Sequence, residues 1–117
     1  MELGKTCYIS GPMRDQHCFN FKRFFYWQVL MENSGYRVVN PAELDCLKMF
    51  GGWKFTEDQW RGILNKDLAI IRSRVHFLFM LRGWEDSEGA NEERNLALEL
   101  GLPVYYEDKK VTNNMEN

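Results

Sequence analysis

Two acidic residues lie on faces of predicted helices whose other side chains are mostly apolar. Asp67 falls inside the apolar stripe of one predicted helix, and Glu93 lies between Ala90 and Ala97 on the inner face of another. The stripe of the first helix consists of Trp60, Ile63, Leu64, Leu68 and Ile71. A carboxylate on an inward face loses hydration, so it is generally paired or has a chemical role. Two such groups could act as a nucleophile and as an acid or base.

Each acid also has an ordinary structural interpretation. Asp67 could form an ion pair with Arg72 or Arg74 at the edge of the stripe. Glu93 could be a first-turn acid that the helix dipole favours. A functional role gains weight only if both acids flank the same crevice, which depends on the fold.

A loop directly after the first predicted strand offers groups for ligand binding. It reads Ser10-Gly11-Pro12-Met13-Arg14. Gly11 permits close approach to the backbone, Ser10 offers a hydroxyl group, and Arg14 offers a cation suited to a phosphate or a sugar oxygen. A simple tight turn with an exposed arginine explains the same residues.

A second loop, residues 83–90, precedes the helix that carries Glu93. Ser87 is placed to cap that helix, and Gly89 leaves backbone N–H groups open to an anion. Trp84 could stack on a nucleobase or simply be buried. The predicted contact residues of this loop are Gly83, Trp84, Ser87, Gly89 and Ala90.

The alternation of predicted elements positions these loops. We predict strands over 6–10, 36–39, 75–81 and 102–106 and helices over 19–33, 56–73 and 90–100. This order favours an α/β three-layer sandwich with a parallel sheet of four or five strands in the order 2-1-3-4. The switch point then lies between strands one and three, where both loops end at one crevice. Residues 41–55 are ambiguous, with a loop at Gly51-Gly52.

Composition limits the class of protein. The 117 residues, 44% of them hydrophobic, suit a single domain over 1–106 with a polar tail over 107–117. A net charge of -2 without a basic patch argues against long nucleic acid as a partner, whereas a small phosphorylated ligand needs only one or two cations. Three cysteines in no zinc or redox spacing, no signal-peptide pattern and no long apolar run predict a cytoplasmic protein without metal or membrane contact.

Several short motifs together resemble a known family. They are Tyr8-Ile9-Ser10-Gly11-Pro12, Asn40-Pro41, Asp67-Leu68, Gly83-Trp84-Glu85 and Ser87-x-Gly89-Ala90-x-x-Glu93-x-x-x-Ala97. Over residues 6–106 the chain resembles the nucleoside 2-deoxyribosyltransferase superfamily, in particular its compact branch common in phage genomes. That superfamily includes 2'-deoxynucleoside 5'-monophosphate N-hydrolases.

The resemblance implies a flavodoxin-like fold, a homo-oligomer (dimer or higher), and no metal or organic cofactor. It implies that Glu93 is the nucleophile, that Asp67 assists near it or near the leaving base, and that Tyr8 orients Glu93. The residues implied to hold the sugar or a 5'-phosphate are Ser10, Gly11, Arg14, Ser87 and Gly89, with Pro12 beside them. Many members carry a second acid where this chain has Val75, so the identity of the base stays open.

These observations predict cleavage of the N-glycosidic bond of a (2'-deoxy)nucleoside or its 5'-monophosphate. Hydrolysis of a nucleoside 5'-monophosphate is favoured, because Arg14 and the start of the third helix suit a phosphate. A 2-deoxyribosyltransferase is the first alternative, and a non-catalytic nucleotide-binding or sequestering protein is the second. A third is an interaction protein that uses the aromatic side chains of residues 19–33 as its contact face.

Overall fold

The computed structural model describes residues 4–44 and 55–107. The strands are β1 (Thr6–Ser10), β2 (Arg37–Val39), β3 (Phe77–Met80) and β4 (Val104–Tyr106). The α-helices are α1 (Phe21–Asn33), α2 (Glu57–Arg74) and α3 (Glu88–Glu99), with 3-10 turns at His17–Asn20 and Trp84–Asp86. The predicted Gly51-Gly52 loop and residues 108–117 of the predicted tail lie outside the described residues.

The sheet confirms the predicted topology. Its four strands are all parallel, in the order β2-β1-β3-β4. In the register of β1 and β3, Tyr8 lies opposite Leu78 and Ser10 lies opposite Met80. With helices on both faces, this is a flavodoxin-like α/β fold. The carboxyl ends of β1 and β3 therefore meet at the switch point.

The central strand β1 distributes its side chains between two cores. Every residue of β1 is buried, and successive side chains alternate between the two faces of the sheet. Cys7 and Ile9 pack in the core that includes α1, whereas Tyr8 packs in the core that includes α2 and α3. Because Ser10 has the same parity as Tyr8, both polar groups point to the face that carries the two acids.

Side-chain caps start the two helices that carry the acids. A capping box starts α2: Thr56 Oγ1 accepts from the Gln59 backbone N–H at 3.1 Å, and Gln59 Oε1 accepts from the Thr56 backbone N–H at 2.8 Å. Ser87 Oγ accepts from the Ala90 backbone N–H at 3.2 Å, as its predicted role as a cap requires. As a result α3 begins at Glu88, two residues earlier than the prediction.

Helix α1 begins later than the prediction, at Phe21 rather than at residue 19. Cys18, Phe19 and Asn20 have φ angles of 47°, 54° and 62°, which is the left-handed region that non-glycine residues rarely adopt. The Asn20 side chain donates to the Pro12 carbonyl oxygen at 3.0 Å, which ties this segment to the loop after β1. Apolar periodicity alone could not reveal this interruption.

Gly11 is required by the close approach of two chain segments at the switch point. A Cβ atom at Gly11 would lie 2.8 Å from the Leu81 Cβ, and Leu81 is fully buried. We expect Gly11→Ala to destabilise the fold by about 1–3 kcal/mol through overpacking. The matched control is Gly62→Ala in α2, where nothing lies within 4 Å, and it should stabilise by about 0.5–1 kcal/mol. Urea unfolding of both variants checks this, and equal effects would contradict it.

Candidate active site

A cleft of about 750 Å³ opens at the carboxyl edge of the sheet. Its walls come from the loop after β1, the loop between β3 and α3, and the inner side of α2. Asp67 and Glu93 both line it, so the predicted convergence of the two acids is observed. The volume falls within the usual range of sites for small molecules.

Glu93 is held by two hydroxyl groups from β1. Its side chain is buried, at 6% exposure. Tyr8 donates its phenolic hydroxyl to Glu93 Oε2 at 2.6 Å, and Ser10 donates its hydroxyl to Glu93 Oε1 at 2.6 Å. Each carboxyl oxygen therefore has one short hydrogen bond, which fixes the orientation of the group. Both donors lie on the face of β1 that the alternation of the strand turns toward α3.

Asp67 reaches the same group from α2. It is buried at 4% exposure, and its negative charge acts on both Glu93 and Tyr8. Burial and the charges of Glu93 and Asp67 raise the pKa of Tyr8 well above its usual value. Tyr8 therefore stays a phenol at any physiological pH and remains a hydrogen-bond donor to Glu93.

The environment of Glu93 favours its protonated form. Burial, together with the charge of Asp67, raises the pKa of Glu93 to about 8, although the hydrogen bonds from Ser10 and Tyr8 act in the opposite direction. Two acids that influence each other in this way titrate as a pair. Such perturbed carboxyl groups in a cleft are typical of acid–base or nucleophilic sites.

The raised pKa of Glu93 predicts a stability change with pH. Below pH 4.5 the group is protonated in both states, and above about pH 8 it is ionised in both. Between these values the unfolded chain releases a proton that the folded chain keeps, so the free energy of unfolding falls as pH rises. We expect a loss of roughly 5 kcal/mol across this window. Glu93→Gln should remove that loss in urea titrations at several pH values, and parallel curves for the two proteins would contradict it.

The cleft contains most of the predicted contact residues. Those that line it are Gly11, Pro12, Arg14, Gly83, Ser87, Gly89 and Ala90. Ser10 does not line it: the side chain is fully buried behind Glu93, where it holds the carboxyl group rather than facing the cleft. Tyr8 occupies a similar position, which agrees with its predicted orienting role.

Trp84 lies away from the cleft. Its ring contacts Tyr106 with 5.6 Å between ring centroids, and the guanidinium of Arg94 lies 4.9 Å from its centroid. Arg94 Nε also donates to the Tyr106 hydroxyl at 2.7 Å. The contact with a ligand that was predicted for Trp84 is therefore replaced by packing against β4.

Arg14 lines the mouth of the cleft but already has an anionic partner. Its guanidinium forms an ion pair with Glu57, in the first turn of α2, and lies 5.7 Å from the ring centroid of Trp60. Both members of the pair are substantially exposed, so the pair itself contributes little stability. A phosphate at this position would have to compete with Glu57.

Val75, the departure from the family pattern, lies at the opposite edge of the sheet. It directly follows α2 and precedes β3, so it stands at the amino end of that strand. Its side chain is buried in the core with Ile71 and Leu78. It is not part of the cleft lining, so the departure leaves the surroundings of Asp67 and Glu93 unchanged.

Sequence reasoning missed two residues beside the cleft. Arg23, in the first turn of α1, lines the cleft, and it pairs with Glu107, directly after β4. The pattern of the sequence shows only an ordinary helix-start arginine and the first residue of a polar segment. Only the strand order brings the end of β4 toward α1, so no local signal could have identified the pair.

The described residues, 4–44 and 55–107, give no sign of a metal centre or of a membrane-spanning helix. Among them no group of three or more histidine, cysteine or acidic side chains is arranged to hold a metal ion. None of their helices combines the length and the apolar character needed to cross a bilayer.

Fold and site together define a flavodoxin-like α/β protein with a buried carboxyl pair in a cleft at the switch point. Residues 5–106 match the model of a family described as "Domain of unknown function (DUF4406)". The chain belongs to this family. No curated protein and no solved structure matches the chain. The function must therefore be argued from the site itself.

Proposed function

We propose that this protein cleaves the N-glycosidic bond of a nucleoside or nucleotide, with Glu93 as the nucleophile and Asp67 as the acid–base partner. The observation that carries the proposal is the convergence of two buried carboxyl groups on one cleft, with Tyr8 and Ser10 each fixing one oxygen of Glu93. A buried acid with only a structural role also needs hydrogen-bond partners, but it has no need of a second acid or of a cleft. The motif resemblance to the nucleoside 2-deoxyribosyltransferase superfamily supports the same assignment.

The first step requires one proton for the pair of acids. When that proton resides on Asp67, Glu93 is a carboxylate and attacks C1' of the sugar. The electron pair of the C1'–N bond passes to the leaving base, and Asp67 gives its proton to that base. The positive charge that develops on the sugar ring faces two buried acids, which stabilise it more strongly than bulk water would.

The second step releases the sugar from Glu93. Water attacks C1', Asp67 accepts a proton from that water, and Glu93 leaves as a carboxylate. If a second base attacks in place of water, the same intermediate yields a new nucleoside. The hydrolase and the transferase thus differ only in the acceptor, and we favour water.

A panel of nucleosides and 5'-monophosphates tests the proposal. Each compound is incubated with the protein, with and without an added free base, and the products are separated by chromatography. We expect release of free base in both conditions, with little exchange of bases. Exchange would identify a transferase, and a ligand that is bound but recovered intact would identify a binding protein and overturn the enzymatic proposal.

We also propose that the protein forms a homo-oligomer. Helix α1 exposes Tyr26, Val29 and Leu30, with exposed fractions of 59%, 55% and 38%. Neighbouring apolar side chains of this size on one helix are typical of a contact surface between proteins. Light scattering coupled to size-exclusion chromatography should give a mass of at least twice the 13.9 kDa of one chain, and a monomer mass would contradict the proposal.

A further inference from the structure

Glu107 binds three donors from two elements beside the cleft. Its Oε1 accepts from the guanidinium of Arg23 and from the backbone N–H of Arg82 at 2.7 Å. Its Oε2 accepts from Trp27 Nε1 at 3.0 Å. The carboxylate therefore connects α1 with the start of the loop between β3 and α3, and the two arginines line the cleft.

This arrangement is more buried than the other arginine–glutamate pairs at the cleft. The side chain of Glu107 is 14% exposed and that of Arg23 is 36% exposed. In the Arg14–Glu57 pair the corresponding values for arginine and glutamate are 44% and 75%, and in the Arg61–Glu92 pair they are 49% and 37%. Arg23 is thus the least exposed of these three paired arginines, while enough of it stays exposed to face a ligand.

The charge of the pair decides what it can bind. A guanidinium has five N–H donors, and Glu107 engages the Nη2 end of Arg23. The remaining donors lie in a group whose charge is already balanced. The cleft as a whole is lined by four arginines and six acidic side chains among the described residues, so it offers no excess of positive charge. Such a group suits an uncharged acceptor better than a dianionic phosphate.

We infer that Arg23, positioned by Glu107, donates hydrogen bonds to an uncharged oxygen or nitrogen acceptor of the substrate. The inference rests on the proposed function, and it adds a specificity-determining residue. Two parts of a nucleoside offer this chemistry: the carbonyl oxygens and ring nitrogens of the base, and the hydroxyl groups of the sugar. Nothing in the motif resemblance assigns a role to either residue.

The first experiment compares kcat and KM of the wild type with those of Arg23→Met, which keeps the length of the side chain and removes its donors. We expect a fall of about tenfold or more in kcat/KM, mostly through KM, because the bound acceptor loses its partner. The control is Arg72→Met, an exposed residue near the end of α2 that is not part of the cleft lining. An effect of Arg23→Met equal to that of the control would overturn the inference.

The panel also locates the acceptor. A loss that changes with the base assigns Arg23 to the base, and a loss that disappears with a substrate lacking its 5'-hydroxyl assigns it to the sugar. A uniform loss across all compounds, accompanied by an equal fall in kcat, would indicate a purely structural role and would overturn the inference.

The preference of Glu107→Gln for phosphorylated over unphosphorylated substrates is a second test. A purely structural role of Arg23 and Glu107 would leave that preference unchanged. The substitution leaves Arg23 with an unbalanced charge beside the cleft, so the ratio of kcat/KM for a 5'-monophosphate to that for its nucleoside should rise about tenfold. Glu85→Gln is the matched control, since Glu85 is exposed and is not part of the cleft lining. An unchanged ratio in Glu107→Gln would overturn the assignment.

Failure of the proposed function is distinguishable from failure of this inference. If the wild type cleaves no member of the panel, the enzymatic proposal falls, and calorimetric titration with a nucleoside then tests Arg23 alone. Binding weakened at least fivefold in Arg23→Met supports the contact. Equal binding by the wild type and the variant would rule out the contact between Arg23 and the nucleoside.

Discussion

Glu93→Gln is expected to reduce base release at least about a thousandfold while leaving the fold intact. Glutamine has nearly the same shape, and its amide can still meet the hydroxyl groups of Tyr8 and Ser10, which lie 2.6 Å from the carboxyl oxygens. It has no charge with which to attack C1' or stabilise an oxocarbenium-like sugar. The measurement is the initial rate of base release, with urea unfolding of both proteins as the test of the fold.

Two outcomes for Glu93→Gln have different meanings. Base release equal to that of the wild type would remove Glu93 from the mechanism. A lost activity accompanied by a lost unfolding transition would point to the fold instead, but the buried neutral amide should make the variant more stable above pH 8, because Glu93 titrates near that value. Comparison at pH 6 and pH 9 therefore separates the catalytic effect from the structural one.

Asp67→Asn is expected to reduce base release about 100- to 1,000-fold, because the leaving base loses its proton donor and the attacking water loses its base. The same change removes a negative charge that raises the pKa of Glu93. The variant has no acid at position 67 to ionise, so the descending limb of kcat/KM against pH, which in the wild type reports loss of the last proton of the pair in the free enzyme, should be absent. Rate profiles from pH 5 to pH 9 measure both effects.

Substrates with different leaving bases sharpen the test of Asp67. A base that departs readily without protonation should depend little on Asp67, whereas a base that needs a proton should show the full loss. Asp58→Asn is the control, because Asp58 is an exposed acid in the first turn of the same helix. Similar losses in the two variants, or a descending limb that is retained in Asp67→Asn, would contradict the assigned role.

The sequence was sufficient for the fold because its local patterns agree with one another. An apolar run without charges fits the buried strand β3, and the Thr56–Gln59 capping box fixes the start of α2. Alternation of strands and helices, combined with right-handed crossovers, leaves few parallel sheets to choose from. The order β2-β1-β3-β4 was among them, and it determines where ligands can bind.

The local sequence patterns also predicted the positions of the two acids, but they did not predict all of the residues that contact them. Helical periodicity assigned Asp67 and Glu93 to inward faces, and both are buried there. Ser10 was interpreted as a ligand contact because it ends a strand, yet its hydroxyl is directed to Glu93, 83 residues away in the chain. Such a contact depends on how α3 packs against β1 in the folded protein. The spacing of residues in the sequence does not reveal that packing.

Aromatic and charged side chains were the least predictable. Trp84 belongs to a predicted ligand loop, but its ring packs against Tyr106 and the guanidinium of Arg94. Arg14 has the expected location, although Glu57 balances its charge. Long side chains with several partners within reach adopt whichever arrangement the tertiary structure offers. Their roles therefore had to come from the structure.

Rapid-quench mass spectrometry during turnover examines the chemistry of Glu93 most directly. Wild-type protein is mixed with a cleaved nucleoside, stopped in acid within milliseconds and digested. The account predicts that the peptide containing Glu93 gains the mass of the sugar without its base, and that the gain is absent in Glu93→Gln. Free base produced while residue 93 stays unmodified at every quench time, or a sugar attached at another residue, would contradict it.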